Sequence, residues 1–115
     1  MNLKIIIMNN LEIHVATEFN KALGARYIYE GQFSGQQFLE TLLSPRFEEA
    51  KEKKVKLVIY LDGVLGYPSS FVSGSFGKLS MSHGAESVLA TIEFVSSNSL
   101  RIEKIVREIT KPIKK

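Results

Sequence analysis

Two adjacent serines, Ser69 and Ser70, are the residues of this sequence best placed to carry chemistry. They follow a hydrophobic run and a glycine-rich turn containing Asp62, and they precede a segment with helical spacing. Free backbone N–H groups and the helix dipole favour negative charge at the start of a helix. A phosphoryl group on either serine would be stabilised there and would add a large charge to the surface. One of the two serines can also cap the helix, and the two roles are compatible.

Arrangements typical of catalysis are missing from the sequence. Asp62 is a lone acid beside a glycine, the two histidines lie far apart, and there is no cysteine. The stretch Gly63-Val64-Leu65-Gly66 lacks the Gly-Lys-Ser/Thr ending of a P-loop and the third glycine of the dinucleotide fingerprint. We therefore predict no catalytic residue, no metal site and no cofactor, and a protein that is not an enzyme.

The turn after the hydrophobic run is nevertheless the expected site of binding, because α/β sheets bind ligands and partners outside the carboxyl ends of their strands. Arg26, flanked by glycine and aromatic residues, can pair with an internal carboxylate or carry an anion. An anion or nucleotide sensor is thus the alternative to a protein-binding module. The predicted partner or ligand surface comprises Arg26, Asp62, Gly63, Gly66, Tyr67, Ser73 and Gly74.

Small residues follow the two serines, at Ser73, Gly74, Ser75 and Gly77. Two glycines inside a helix cost about 1 kcal/mol each in helix propensity, so something must compensate. Either the helix approaches the sheet closely or a partner docks tightly against it. We favour docking, which makes residues 62–79 the predicted contact region for another macromolecule.

The bulk composition is that of one soluble domain spanning residues 1–115, with a core of about residues 12–110 and a basic tail at 111–115. A formal charge of +3 is small for a nucleic-acid binder, so we expect no nucleic acid. The absence of cysteine fits the cytoplasm. The apolar run in the first eight residues is too short to cross a membrane, and we expect neither a signal peptide nor membrane association.

The elements that position the turn begin with two β-like runs, Leu3 to Met8 and Leu11 to Val15. Asn9-Asn10 between them favours a β-hairpin slightly over one strand with an irregular continuation. Residues 19–31 are irregular, with Tyr27 to Tyr29 as a candidate edge strand. Exposed edge strands would allow a homodimer.

A first long helix is predicted to start at Ser34, whose hydroxyl and the Gln37 side chain form a capping box. Pro45 should kink or divide this helix, which ends near Lys53. Val55 to Leu61 reads as a central strand covered on both faces. The remaining predicted elements are a helix ending at His83-Gly84, a short helix over 85–90, a strand over 91–95 and a last helix capped by Asn98.

This order of strand, turn, serine pair and helix resembles the STAS domains, the fold of the anti-sigma factor antagonists. More specifically, the chain resembles the bacterial STAS-like domain of unknown function. The matching motifs run in the family's order over about residues 12–110. They are Gly24-Ala25-Arg26-Tyr27 with Gly31, Phe33-Ser34-Gly35-Gln36-Gln37-Phe38, Leu61-Asp62-Gly63, Gly66-Tyr67, Ser69-Ser70-Phe71 and Phe76-Gly77-Lys78-Leu79.

The resemblance implies an α/β fold with a mixed sheet of four to five strands and helices packed against it. It also implies a non-enzymatic regulatory module that binds another protein, by analogy a kinase-like ATPase or a transcriptional regulator. STAS proteins commonly bind an ATPase-type kinase that phosphorylates a serine at this helix start, where Ser69 and Ser70 lie. Relatives often carry acidic residues after the Ser-Phe pair, whereas this chain has Val72-Ser73-Gly74-Ser75.

Overall fold

The computed structural model describes residues 10–113, in which three short strands form one parallel sheet. The strands are β1 (Leu11–His14), β2 (Leu57–Tyr60) and β3 (Ile92–Val95), in the order β1-β2-β3. In their register Ile13 lies opposite Ile59, and Ile59 lies opposite Phe94. The central position of the strand before the turn, predicted from its apolar run, is confirmed.

The predicted four to five strands are confirmed only in part, since the described residues contribute three, all parallel. The second predicted run, Leu11 to Val15, forms β1 and ends one residue early. The first run, Leu3 to Met8, and hence the hairpin, lie outside the described residues. The mixed character of the sheet stays a prediction.

Helices connect and cover the strands. They are α1 (Val15–Glu18), α2 (residues 35–53), α3 (residues 69–83), α4 (Ala85–Thr91) and α5 (Ser99–Thr110). Among the described residues, none of these helices has the length and apolarity needed to cross a membrane.

The edge strand predicted over Tyr27 to Tyr29 is wrong, because Ile28–Glu30 is a single turn of 3₁₀ helix. The Tyr27 N–H donates to the Glu30 side chain at 2.8 Å, and the Glu30 N–H donates to the Tyr27 carbonyl at 3.0 Å. These two bonds close the segment into a turn and draw its backbone groups away from the sheet.

Helix α2 begins as its sequence predicts. The Gln37 N–H donates to the Ser34 hydroxyl at 3.0 Å, and the Gln37 side chain accepts from the Phe33 N–H at 2.9 Å. Pro45 does not divide the helix, because the turn before it, Leu39–Leu43, widens to a π-helix. The wider turn accommodates a residue that has no N–H to donate to the Thr41 carbonyl.

Within residues 10–113, the helices cover one face of the sheet, whereas both faces of β2 are predicted to be covered. Leu57 and Ile59 are fully buried, whereas Val58 and Tyr60 on the opposite face are only partly buried. Their neighbours on the adjacent strands are exposed, because these strands alternate apolar and polar residues. The exposed neighbours are Glu12, His14, Glu93 and Val95.

Candidate functional site

Asp62, at the carboxyl end of β2, ties the central strand to the loop that follows β3. Its carboxylate accepts hydrogen bonds from the Ser96 hydroxyl at 2.7 Å and from the Ser97 N–H at 2.9 and 3.1 Å. The Ser96 hydroxyl and then the Ser97 N–H lower the pKa of Asp62. Asp62 is exposed, as predicted, but its carboxylate oxygens accept hydrogen bonds from residues of the same chain.

Gly63 makes the turn after Asp62 with a φ of +92°, a conformation that favours glycine. The loop beyond it is held at Leu65 from two sides. The Leu65 N–H donates to the Lys21 carbonyl at 2.8 Å, and the Arg101 guanidinium donates to the Leu65 carbonyl at 3.3 Å. The Leu65 side chain is nevertheless 82% exposed, so a fixed backbone presents a large apolar group to solvent.

Tyr67 was predicted to lie on the interaction surface, and this is wrong because its ring is buried. Its hydroxyl donates to the Leu61 carbonyl at 2.8 Å, and burial raises the pKa of the phenol well above its usual range. The Arg101 guanidinium lies 5.3 Å from the ring centroid. Tyr67 therefore anchors the loop from inside, while Gly66 beside it is half-buried.

The two serines differ in their access to solvent. Ser69 is exposed and Ser70 is partly buried, and they are the first two residues of α3. The prediction that one of them caps the helix is wrong. Pro68 is the N-cap, the Val72 N–H donates to its carbonyl at 3.0 Å, and no side chain caps this end.

The small residues of α3 lie inside the protein, which corrects the prediction that Ser73 and Gly74 form an accessible surface. A Cβ at Gly74 would lie 2.6 Å from the Arg26 carbonyl oxygen, and one at Gly77 would lie 2.8 Å from the Glu108 carboxylate. Close packing within the chain therefore compensates for the glycines.

Arg26 packs against the side of α3. Its Nε donates to the Ser73 hydroxyl at 3.4 Å, and its backbone packs against Gly74. The predicted alternatives for Arg26 were an internal carboxylate or an anion. Among the described residues, the partner recorded for its side chain is a hydroxyl.

The site contains residues that the sequence did not single out. A groove between α3 and α5 is lined by Ser69 together with Leu100, Glu103, Lys104, Arg107, Glu108, Lys111 and Ile113. Lys104 donates to the Tyr67 carbonyl, two residues before Ser69. Leu100 is 69% exposed and lies outside the apolar stripe of α5, a signal that the sequence did carry.

We call Leu65, Ser69, Leu100, Lys104 and Arg107 the carboxyl-end surface. Ser69, Leu100, Lys104 and Arg107 line the groove, and the exposed Leu65 is tied to α5 by the bond from Arg101 to its carbonyl. Helices α3 and α5 both begin here, and their N-termini add partial positive charge. Such a surface suits a partner with apolar and acidic groups. Within residues 10–113, no three His, Asp or Glu side chains are grouped as metal ligands would be.

The fold and this site define a small α/β domain whose candidate binding residues lie near the point where the central strand passes into a helix. The family model described as a STAS-like domain of unknown function (DUF4325) matches residues 34–100. This match covers more than half of the chain, and the chain belongs to that family. The match ends at Leu100, so Lys104 and Arg107 lie beyond it.

No curated protein and no solved structure matches the chain significantly.

Proposed function

We propose that this chain is a non-enzymatic regulatory module that binds another protein through the carboxyl-end surface. The observation that carries the proposal is the exposure of Leu65 on a backbone fixed by Lys21 and Arg101. A preordered loop loses little conformational entropy when it binds, so an apolar side chain held this way is suited to a partner. The exposed Leu100 lines a groove together with Ser69 and would enlarge the apolar contact with the partner.

Ser69 is the proposed control point, in preference to the partly buried Ser70. Ser69 is exposed to a modifying enzyme, and it lines the same groove as Leu100, Lys104 and Arg107. A phosphoryl group there would carry a charge of about −1.5 to −2 at neutral pH. That charge would repel acidic groups of a partner that had docked on the unmodified surface.

The partner class comes from the family resemblance, which points to a kinase-like ATPase or a transcriptional regulator. The fold analogy supports this class of partner, and the exposed residues of the carboxyl-end surface support the location of the partner's binding site. The anion-sensor alternative required Arg26 beside the glycine-rich turn. Because Arg26 packs against Ser73 and Gly74, that alternative has no observation in its favour.

Affinity purification from the source organism tests the proposal, with the tagged wild-type chain and a tagged Leu100→Glu variant as baits. We expect one protein of the two classes to be enriched on the wild type and lost on the variant. Mass spectrometry of the chain itself should find phosphate on Ser69. Equal recovery on both baits would contradict the proposed surface, and recovery of neither partner nor phosphoserine would contradict the function.

A further inference from the structure

We propose that a phosphoryl group on Ser69 is bound within the same molecule by Lys104 and Arg107 across the groove between α3 and α5. The inference rests on the proposed function only for the phosphorylation itself. It adds a mechanism, because the modification would then remove two cations from the carboxyl-end surface as well as add negative charge. The family match ends before both cations.

The geometry of Lys104 supports the inference first. Its Nζ donates to the Tyr67 carbonyl, so the ammonium group lies against the backbone two residues before Ser69. An ammonium group has three N–H donors, and this bond uses one. The remaining donors are available to a group attached at the neighbouring Ser69 hydroxyl.

Arg107 supports the inference second. It follows Lys104 by three residues on α5, so the two side chains project from the same side of the helix. Both line the groove that Ser69 also lines, and Arg107 is exposed. The planar guanidinium fork matches the oxygens of a phosphoryl group in two parallel hydrogen bonds.

The acidic residues of the groove leave these cations available. Glu108 packs against Gly77 and accepts from the Ile113 N–H at 2.8 Å. Glu103 is exposed on α5, and within residues 10–113 no ion pair joins it to Lys104 or Arg107. A phosphate on Ser69 would therefore meet a local excess of positive charge.

The modification is an ordinary phosphoryl transfer from a nucleoside triphosphate by a protein kinase. The Ser69 oxygen forms a bond to the γ-phosphorus, and the bond from that phosphorus to the β,γ-bridging oxygen breaks. The nucleoside diphosphate leaves, and the hydroxyl proton passes to a base of the kinase. No oxidant or reductant is required.

Phosphorus NMR on the purified chain, with phosphoserine incorporated at position 69 during translation, tests the inference. We expect the second pKa of this phosphate to lie about one unit below the ordinary value near 6, since adjacent cations favour the dianion. Phosphoserine at Ser82, exposed in the last turn of the same helix, is the control, and its phosphate pKa should not be lowered, because the helix dipole is negative there. Arg107→Gln should reverse part of the shift, and Lys104→Met should reverse more.

Equal phosphate pKa values at positions 69 and 82 would overturn the inference, as would a shift that survives both substitutions. Lys104→Met also removes the bond to Tyr67 and can unfold the loop, whereas Arg107 is exposed and its replacement leaves the fold intact. The titration uses no kinase and no partner. Its failure is therefore distinguishable from failure of the proposed function, which the affinity purification reports.

Discussion

The two ends of the sheet both carry basic residues, but these residues do different work. At the amino end, Lys56 donates to the Ala90 carbonyl in the last turn of α4, and Lys51 donates to the Ser87 hydroxyl. The C-termini of α2 and α4 meet here, so the helix dipoles supply negative charge. The two lysines at this end therefore have acceptors and favourable helix dipoles within the protein.

At the carboxyl end the helix dipoles have the opposite sign. Helices α3 and α5 begin at Ser69 and Ser99, so partial positive charge lies close to Ser69, whereas Arg107 lies in the last turn of α5. Asp62, the acidic residue nearest to the turn, is engaged by Ser96 and Ser97. This comparison shows that the number of lysines does not indicate where a binding surface lies. The surface is indicated instead by where each cation lies relative to the ends of the helices.

The first prediction, with the largest expected effect, tests whether apolar contact at the carboxyl end of the sheet contributes to binding. Leu65→Glu should weaken binding of the recovered partner about 100-fold, because a charged group replaces an anchoring side chain. Isothermal titration calorimetry measures the affinity. Leu89→Glu, at an exposed leucine of α4 close to the amino end, is the matched control and should bind as the wild type does. Equal losses in both variants would refute the distinction.

A second prediction separates the carboxyl-end surface from the buried part of α3. Gly74→Ala should lower the free energy of unfolding by about 2 kcal/mol, because the new Cβ would lie 2.6 Å from the Arg26 carbonyl oxygen. Urea denaturation measures the change. Gly66→Ala meets no atom within 4 Å and should stay within about 0.5 kcal/mol of the wild type. If the Gly74→Ala variant were as stable as the wild type, the small residues of α3 would again be candidates for a surface that docks a partner.

A third prediction compares two cations near helix C-termini, of which Lys56 donates directly to a helix carbonyl. Lys56→Met should cost about 0.5 kcal/mol of stability, since it removes a donor from a helix C-terminus. Arg107→Gln should cost less, about 0.3 kcal/mol, because Arg107 is exposed in the last turn of α5 and its charge interacts with the helix dipole through solvent. Thermal unfolding of the two variants at low ionic strength checks this, and added salt should narrow the difference. A greater loss for Arg107→Gln than for Lys56→Met would reverse the comparison.

The smallest effect is expected at Asp62. Hydrogen bonds from Ser96 and Ser97 depress its pKa in the folded state, so its contribution to stability is present above the unfolded pKa and is lost as the pH falls through the folded one. Asp62→Asn should therefore flatten the dependence of the melting temperature on pH below about pH 4. Unchanged acid dependence in the variant would show that the carboxylate does not couple the two strand ends.

The local parts of this fold were predictable from the sequence because their hydrogen bonds join residues close together in the chain. The Ser34 cap, the helix end at Gly84 and the Asn98 cap of α5 are of this kind, and all are confirmed. The burial of Ser73 and Gly74 depends on Arg26, which is 47 residues from Ser73 in sequence. No spacing rule reports such a contact.

The position of the candidate site could be predicted from the sequence, but the residues that form it could not. The buried strand and the glycine-rich turn correctly placed Ser69 at the start of a helix. Tyr67 is predicted to lie on the surface, but its ring is buried and its hydroxyl donates to the Leu61 carbonyl, a contact that the sequence does not indicate. The groove that Lys104 and Arg107 share with Ser69 arises from helix packing, which the spacing of residues in the sequence does not indicate.

Hydrogen exchange of the complex with the recovered partner tests the central claim most directly. The account predicts slower amide exchange in residues 63–70 and 99–107 on binding, with no change in residues 51–56 and 85–91. The exchange of free and bound chains should be compared at one pH and one salt concentration. Protection confined to residues 51–56 and 85–91 would contradict the account, because it would place the partner at the amino end of the sheet.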